Sequence, residues 1–432
     1  MSAAAPAAAV SPTPRHRRHH RRRTSWRGRL AASSSAPAST SGRDGPSSSR
    51  KTTATARSVK LVEFYAGMGT MRWSLERALE SDAGASVTAL ASIDNSEVAN
   101  AVYLANYPDE NASGVLMRRN IEHLSSVETL DARFGGADVW TLSPPCQPYT
   151  RKGKRLHGDD PRAGSFARIL EALPKLRAPP ERILVENVVG FESSETRRAL
   201  VAALDEAGYV WREYHASPVD IGVPCTRTRY YALAKRKPLS FVDHAEDPRS
   251  RAIDCFALIG WSAEFCPTEK PVRHNLATTD RPTTSRPRPR RIAEYLERPV
   301  DDASLAVEAG TVERYWRWLD VVSPSCVRCS TFTSGYGKTV YGGSVLASDA
   351  FVAEHCDVDV GTGRARLAGP FKGEWAGEMR YFSPREVANL HGLDAGWRLP
   401  SRELTRRQLW FTVGNSISVD VVAVLMRQLM RD

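Results

Sequence analysis

The stretch that decides the fold is VKLVEFYAGMGT, residues 59–70, in which an apolar run leads directly into two glycines. The run Val59–Phe64 predicts a buried strand, and apolar residues then recur at helical spacing over Met71–Leu79. Gly67 and Gly69 permit a tight turn and a close approach of the backbone to a ligand, and the helix start offers free N–H groups. Strand, glycine turn and helix predict a nucleotide-type cradle, although such a turn by itself is a weak signal.

A second strand is predicted at Val87–Ile93, where apolar and polar residues alternate. It ends at Asp94, 25 residues after Gly69. A carboxylate at the tip of the second strand of such a sheet is placed to accept hydrogen bonds from ribose hydroxyls. The alternative is that Asp94 caps the helix that follows from Glu97.

Cys146 follows an apolar strand, Ala137–Leu142, and the pair Pro144 and Pro145. Two prolines cannot continue a ladder or a helix, so the backbone must leave the sheet and place Cys146 at its carboxyl edge. Ligands bind at that edge in open α/β sheets, and a thiol there can act as a nucleophile. The alternative is a small buried hydrophobe, which is the usual role of a free cysteine. The basic, glycine-rich segment 151–164 suits a loop that closes over a polyanion, or a solvated loop without contacts.

Glu186 ends a further predicted strand, Ile183–Val185, and therefore lies at the same sheet edge as Cys146. Two later strands are predicted, and the second carries Arg227 and Arg229 at alternate positions, which would direct both side chains to one face. Two guanidinium groups on one face suit a phosphate or a base carbonyl. A surface row of ion pairs is the alternative.

The positive charge of the chain is concentrated at its N-terminus. The 432 residues carry a formal charge of +11, and residues 1–58 hold twelve Lys or Arg with a single acid, Asp44, which leaves 48 basic and 48 acidic residues in the remainder. The folded part can therefore offer only a local basic patch. Seven scattered cysteines do not form a disulfide framework, which indicates a reducing compartment.

Residues 1–58 are rich in Ala, Ser, Pro and Arg and have too few large apolar residues to fold, so we expect a disordered basic tail. Such a tail suits nuclear import, tethering to RNA or an organelle transit peptide, or has no specific role. No apolar run is expected to be long enough to span a bilayer.

Periodicity weakens from about residue 238 to 375, which predicts a smaller, irregular recognition domain. Within it, Tyr315, Trp316 and Trp318 are interpreted as the core of a short helix in preference to a stacking platform. Cys326 and Cys329 form a lone CxxC, and without a second pair they predict no metal site. A terminal helix running to Met430 is apolar on one face and should pack on the first sheet, so both chain ends belong to one domain.

Taken in order, these segments resemble the cytosine-C5 methyltransferases, and most closely the DNA methyltransferase 2 group, which methylates cytosine 38 of tRNA-Asp. The matching motifs are Ser143 to Gly153, Asp160-Pro161-Arg162, Glu186-Asn187-Val188, Phe332-Thr333 with Gly335-Tyr336-Gly337, Arg380 to Pro384 and the late Gly414-Asn415-Ser416. The chain departs from the pattern at Thr70, where a third glycine is usual, at Cys225, which replaces an amide residue, and at Thr331, which replaces a cysteine.

The resemblance implies a Rossmann-like, S-adenosylmethionine-dependent fold, with a mainly parallel seven-stranded sheet and a smaller target-recognition domain. It implies that Cys146, Glu186, Arg227 and Arg229 are catalytic. It implies that the cofactor contacts come from Tyr65, Ala66, Gly67, Met68, Gly69, Thr70, Asp94, Asn95, Asn120, Ile121, Ser143, Pro144, Asn415, Ser416 and Val419, without a metal. In this scheme Tyr65 packs on the adenine, Asn120 and Ile121 border it, and Arg227 helps to hold Cys146 and Glu186 in place.

We therefore expect four segments: a disordered basic tail (1–57), a catalytic domain (58–237), a target-recognition domain with an insertion (238–378) and a C-terminal segment that completes the catalytic domain (379–432). The expected substrate is tRNA, with DNA as the alternative, and the expected state is a monomer that does not bind membranes. The basic tail leads us to expect a nuclear and cytoplasmic location, with organelle targeting as an alternative.

Overall fold

The computed structural model describes residues 57–124, 126–145, 161–242, 250–262, 287–298, 302–359, 365–370, 373–375 and 377–431. Cys146 and most of the segment 151–164 therefore lie outside the described residues, as does the basic tail up to residue 56.

One large sheet organises the part of the chain that carries the predicted motifs. Its eight strands are arranged in the order β3-β2-β1-β4-β5-β7-β6-β8. Neighbours are parallel from β3 to β5, whereas β7 pairs antiparallel with both β5 and β6, and β8 pairs antiparallel with β6. The strands are β1 (Ser58–Phe64), β2 (Ser86–Ile93), β3 (Leu116–Met117), β4 (Val139–Leu142), β5 (Arg182–Val188), β6 (Tyr209–Ala216), β7 (Arg229–Arg236) and β8 (Ala257–Trp261).

The first half of the chain alternates strands with helices, as a doubly wound sheet requires. The helices are α1 (Thr70–Leu79), α2 (Glu97–Asn106), α3 (Val127–Phe134), α4 (Pro161–Ala172) and α5 (Glu195–Glu206). Local sequence explains their starts, because Ser96, Ser126 and Ser194 each accept a hydrogen bond from a backbone N–H in the first turn of the following helix.

The strand pattern divides the core into two apolar layers on opposite faces of the sheet. In β1, Leu61 belongs to one cluster together with Leu75 of α1, and Val62 belongs to the other together with Trp140 of β4. Consecutive residues of a strand point to opposite faces, so a continuous apolar run buries both. This double burial explains why β4 and the stretch Ile183–Val185 of β5 read as continuous hydrophobic segments.

A second, four-stranded sheet is built from short strands in the order β10-β9-β12-β11. It comprises β9 (Val321–Val322), β10 (Val345–Leu346), β11 (Cys356–Val358) and β12 (Ala365–Leu367), and two short helices accompany it, α6 (Ala309–Tyr315) and α7 (Asp349–His355). The segment around it also supplies β8, which extends the large sheet at its edge. Within the described residues that sheet has eight strands where seven were expected. Periodicity did not single out Ala257–Trp261, because its residues are all only partly buried.

The chain ends in three helices, α8 (Pro384–Leu390), α9 (Arg406–Gly414) and α10 (Val419–Met430). As predicted, α10 packs back on the first sheet, where Val421, Leu425 and Leu429 join the cluster that contains Leu61. Contrary to expectation, the stretch Arg406–Met430 is long and apolar enough to cross a membrane by length and composition. However, 83% of its apolar window is buried within the fold, which is the environment of a core helix.

Candidate active site

Four strand ends and one strand start meet at a single edge of the large sheet. Because β1, β2, β4 and β5 are parallel, Tyr65, Asp94, Ser143 and the end of β5 all lie at the carboxyl edge. The antiparallel strand β7 begins at the same edge, and its first residue, Arg229, pairs with Val188. The sequence predicted a shared edge for the ends of β4 and β5, and the parallel pairing of these two strands confirms it.

The glycine turn after β1 has left-handed backbone at three positions, with φ of +58° at Tyr65, +56° at Gly67 and +87° at Gly69. A Cβ on Gly69 would lie 2.9 Å from the Cδ2 atom of Tyr103, so the turn is packed against α2 on that side. A Cβ on Gly67 would meet nothing within 4 Å, so the other side of the turn is open. This open backbone fits the close approach of a ligand that the sequence predicted.

Asp94 holds the glycine turn in place through its carboxylate. One oxygen accepts a hydrogen bond from Gly67 N at 2.8 Å and the other accepts one from Ser96 N at 2.7 Å. Burial raises the pKa of Asp94, while these N–H groups oppose the rise. The helix cap is Ser96, not Asp94, so the capping alternative is wrong. Each carboxylate oxygen can accept a further bond, and the ribose contact stays a prediction.

Other predicted cofactor residues surround this turn in different environments. Ala66 and Met68 are buried, whereas Asn95 and Asn120 are exposed. The side chain of Ile121 is 4% exposed and belongs to the apolar core.

The hydroxyl of Tyr65 is within 2.8 Å of Ser165 Oγ, and burial raises the pKa of this phenol. Tyr65 is thereby fixed relative to α4, which follows the cysteine segment.

The late Gly-Asn-Ser segment meets the glycine turn through one side-chain contact. Ser416 Oγ donates to Thr70 Oγ1 at 3.0 Å. Thr70 is the residue that departs from the family pattern, and its hydroxyl supplies a link that glycine could not. Val419 is buried at the start of α10, where its N–H donates to His391 O, and Asn415 is exposed at the end of α9.

Two contacts connect the segment before Cys146 with its neighbours. Asn187 Nδ2 donates to Pro144 O at 3.3 Å, and Ser143 N donates to Phe64 O at 3.4 Å. The described residues on this side end at Pro145, immediately before the cysteine. The Glu-Asn motif therefore supports the backbone that carries Cys146.

Glu186 and Arg229 form an ion pair at the sheet edge. Their side chains are 14% and 18% exposed, and Arg229 Nε lies 3.6 Å from Glu186 Oε1. Glu186 pairs with Tyr231 and Arg229 pairs with Val188, so the two side chains share a face one diagonal apart. Burial raises the pKa of Glu186, and the charges of Arg229 and Arg227 oppose the rise. A raised pKa favours the protonated form of the carboxyl group, which is the form that can donate a proton.

The sequence predicted that Arg227 and Arg229 alternate on one strand. This prediction is wrong, because β7 begins at Arg229 and Arg227 lies before it. The residue is 5% exposed, and its guanidinium donates to Phe332 O at 2.9 Å, to Gly414 O at 3.2 Å and to Ser416 O. Desolvation lowers the pKa of Arg227 to about 10, and the charge of Arg229 adds to the effect. Arg227 thus joins its own segment to two others, one at Phe332 and one at Gly414–Ser416.

Glu63 is a buried acid that the sequence analysis did not select. It lies inside β1 with 0% exposure and accepts hydrogen bonds from Arg72 N at 2.9 Å and from Ser92 Oγ at 2.7 Å. Burial raises its pKa to about 7. The sequence signal for this residue is a single acid inside the apolar run Val62-Glu63-Phe64. Its hydrogen bond from Arg72 N shows that Glu63 lies on the face of β1 that contacts the start of α1.

The doubly wound sheet has a glycine turn after β1 and a paired carboxylate and guanidinium at its carboxyl edge, and it is the fold of a Rossmann-like methyltransferase. Residues 59–431 match the family described as "C-5 cytosine-specific DNA methylase", and the chain belongs to that family. Membership implies methyl transfer and the use of S-adenosylmethionine as the methyl donor.

The matches to similar proteins extend over nearly the whole length of those proteins. A "tRNA (cytosine(38)-C(5))-methyltransferase" from Bos taurus is 31% identical over 409 residues, which cover 85% of this chain and 98% of the relative. A "DNA (cytosine-5)-methyltransferase" from Dictyostelium discoideum is 28% identical over 385 residues and covers 86% of this chain and 94% of the relative. The crystal structure of the Schizosaccharomyces pombe Dnmt2 methyltransferase is similar with a TM-score of 0.63 and 25% identity, covering 87% and 98% of the two chains.

Proposed function

We propose that the protein methylates carbon 5 of cytosine in RNA, at position 38 in the anticodon loop of tRNA-Asp, with S-adenosylmethionine as the donor. The observation that carries the chemistry is the partly buried pair of Glu186 and Arg229, 3.6 Å apart, beside the backbone that leads to Cys146. The choice of substrate is supported by the relatives from cattle and humans, each of which is named a tRNA (cytosine(38)-C(5))-methyltransferase.

The chemistry requires activation of the ring, because carbon 5 of cytosine is a weak nucleophile. In the proposed reaction the thiolate of Cys146 adds to carbon 6, while Glu186 gives its proton to ring nitrogen 3. The new sulfur–carbon bond removes the ring double bond between carbons 5 and 6 and leaves an enamine, whose carbon 5 is nucleophilic. Arg229 holds the adjacent carbonyl or phosphate oxygen.

S-adenosylmethionine, when bound, supplies an electrophilic methyl group on a sulfonium sulfur. The residues that would hold it are the open turn at Gly67 and Gly69, the carboxylate of Asp94, and Tyr65. After carbon 5 has been methylated, a water molecule takes its proton. The electrons of that carbon–hydrogen bond restore the ring double bond and expel the Cys146 thiolate. Glu186 then takes back the proton from nitrogen 3, so the enzyme returns to its starting form.

An RNA loop suits the charge of the folded part better than a DNA duplex. Residues 59–432 carry equal numbers of basic and acidic residues, whereas stable binding to a duplex usually requires a broad basic face. The target base must also leave its stack, at a cost of about a few kcal/mol that is smallest for an unpaired nucleotide. Methylation of DNA is the second candidate, which the name of the Dictyostelium relative favours.

The two candidates are separated by incubating the full chain with labelled S-adenosylmethionine and either total tRNA or genomic DNA. We expect label in tRNA, lost when cytosine 38 of a tRNA-Asp transcript is replaced by uridine. Label confined to DNA would overturn the tRNA assignment. Cys146→Ala should abolish transfer, and Cys356→Ala, at a partly buried cysteine on β11, serves as the matched control.

The assembly and location of the protein are also proposals. We propose a monomer without membrane binding that is found in the nucleus and the cytoplasm. The support is the twelve Lys or Arg in residues 1–58, which suit nuclear import. Light scattering tests the monomer, and a fluorescent fusion with and without residues 1–57 tests the location; a purely organellar signal would favour a transit peptide.

A further inference from the structure

A cavity of about 410 Å³ opens beside the arginines of the active site. Thr226, which immediately precedes Arg227, lines one side, and the segments 328–333 and 340–343 line the others together with Trp318 and Asp320. Three extended residues span at most about 10 Å, so the Cα atom of Thr226 lies within about 10 Å of that of Arg229, the partner of Glu186. Neither member of that ion pair is among the described residues that line the cavity, which therefore adjoins the site of the chemistry without forming it.

Two large aromatic side chains stand exposed in the wall of this cavity. Trp318 is 58% exposed and Tyr341 is 59% exposed, and their ring centroids lie 6.0 Å apart with an angle of 65° between the planes. The interpretation of Trp318 as helix core is therefore wrong, because the short turn Trp316–Trp318 buries the following residue, Leu319, instead. Two rings at this angle form a corner, in which a flat ligand can stack on one face and meet the edge of the other.

Polar groups with hydrogen-bonding capacity complete the wall. Arg328 is exposed, and its Nε donates at 3.1 Å to Thr226 Oγ1, which also belongs to the wall. Thr331 donates to Thr226 O, and Asp320 accepts from Ser344. Exposed aromatic faces, one guanidinium and several hydroxyl groups are the features with which proteins bind unpaired nucleotides.

We propose that this cavity binds an unpaired nucleotide that flanks the target cytosine, with its base stacked on Trp318 and Tyr341 and its phosphate contacted by Arg328. The proposal rests on the RNA substrate proposed above and extends it to a second recognition site on the same strand. A base with its phosphate uses both the rings and the cation.

The test measures binding of a fluorescein-labelled RNA hairpin that has the anticodon-loop sequence of tRNA-Asp. In separate hairpins, each nucleotide next to the target cytosine is made abasic, and affinity is measured by anisotropy with the full chain and with the double variant Trp318→Ala, Tyr341→Ala. Loss of stacking should weaken binding of the intact hairpin by about 5- to 150-fold, the equivalent of about 1–3 kcal/mol. Phe411→Ala, at an exposed aromatic on α9, is the matched control and should bind as the parent does.

The result that identifies the bound nucleotide is a coupling between protein and RNA. At one position, removal of the base should weaken binding to the parent protein but not to the double variant, because the stacking partner is already missing. Trp318→Phe should restore most of the lost affinity. Equal losses for both proteins at every position would overturn the cavity assignment. If the parent protein methylates DNA and no RNA, the proposed function fails instead, and the two failures are distinct.

Discussion

Replacing Arg227 by alanine should destabilise the fold and the site together, because this guanidinium joins three segments. It donates to the carbonyls of Phe332, Gly414 and Ser416, and hydrogen bonds from charged donors contribute about 1.5–3 kcal/mol each. Against this stands the cost of keeping the group charged, since its pKa falls from 12.5 to about 10, and each pKa unit corresponds to about 1.4 kcal/mol. The difference predicts that Arg227→Ala lowers the free energy of unfolding by about 2–5 kcal/mol.

Urea unfolding followed by circular dichroism measures this loss, and steady-state methyl transfer gives kcat and KM for RNA in parallel. The matched control is Arg236→Ala at the end of β7, because Arg236 is only half-buried and its guanidinium donates a long bond of 3.4 Å to Pro179 O. We expect a change of less than about 1 kcal/mol there. If Arg227→Ala abolishes kcat while unfolding changes by less than 1 kcal/mol, the positioning role is refuted and direct contact with the substrate is indicated.

Three further predictions concern the buried acids and the glycine turn. The pKa of Glu63 is raised to about 7, so the stability that its protonated carboxyl group contributes is complete below about pH 4.5 and is lost as the pH rises through 7. Glu63→Gln should remove this change in the free energy of unfolding, which is up to about 3 kcal/mol, and an unchanged pH profile of urea unfolding would contradict the prediction. If protonated Glu186 donates to the ring, kcat should fall as the pH rises through its raised pKa, and Glu186→Gln should lower kcat by about 10²–10⁴-fold and abolish that alkaline limb; persistence of the limb would assign it to another group. Gly69→Ala should lower the free energy of unfolding by about 1–3 kcal/mol, because its Cβ would lie 2.9 Å from Tyr103 at a φ of +87°. The loss should exceed that for Gly67→Ala, whose Cβ would meet nothing within 4 Å, and equal losses would show that backbone strain alone accounts for both.

The strand ends that build the candidate site could be predicted from the sequence because their signals are local. An apolar run ending in glycines, in Asp94 or in Glu-Asn shows where a buried strand stops, and parallel pairing then brings those ends to one edge. Glu186 could be assigned to that edge without knowledge of its partner. Its 3.6 Å contact with Arg229 required the antiparallel register of β7, which periodicity does not encode.

The sequence by itself determined the class of fold, the cofactor turn and the order of the motifs, because these depend on side-chain period and turn chemistry within short segments. The tertiary structure alone decided the role of Arg227, whose carbonyl partners lie 105 and 187 or more residues away along the chain. It also decided that Glu63 is buried with a raised pKa and that Trp318 is exposed beside a cavity. Burial and partner choice depend on which distant surfaces meet, and a local pattern carries no information about that meeting.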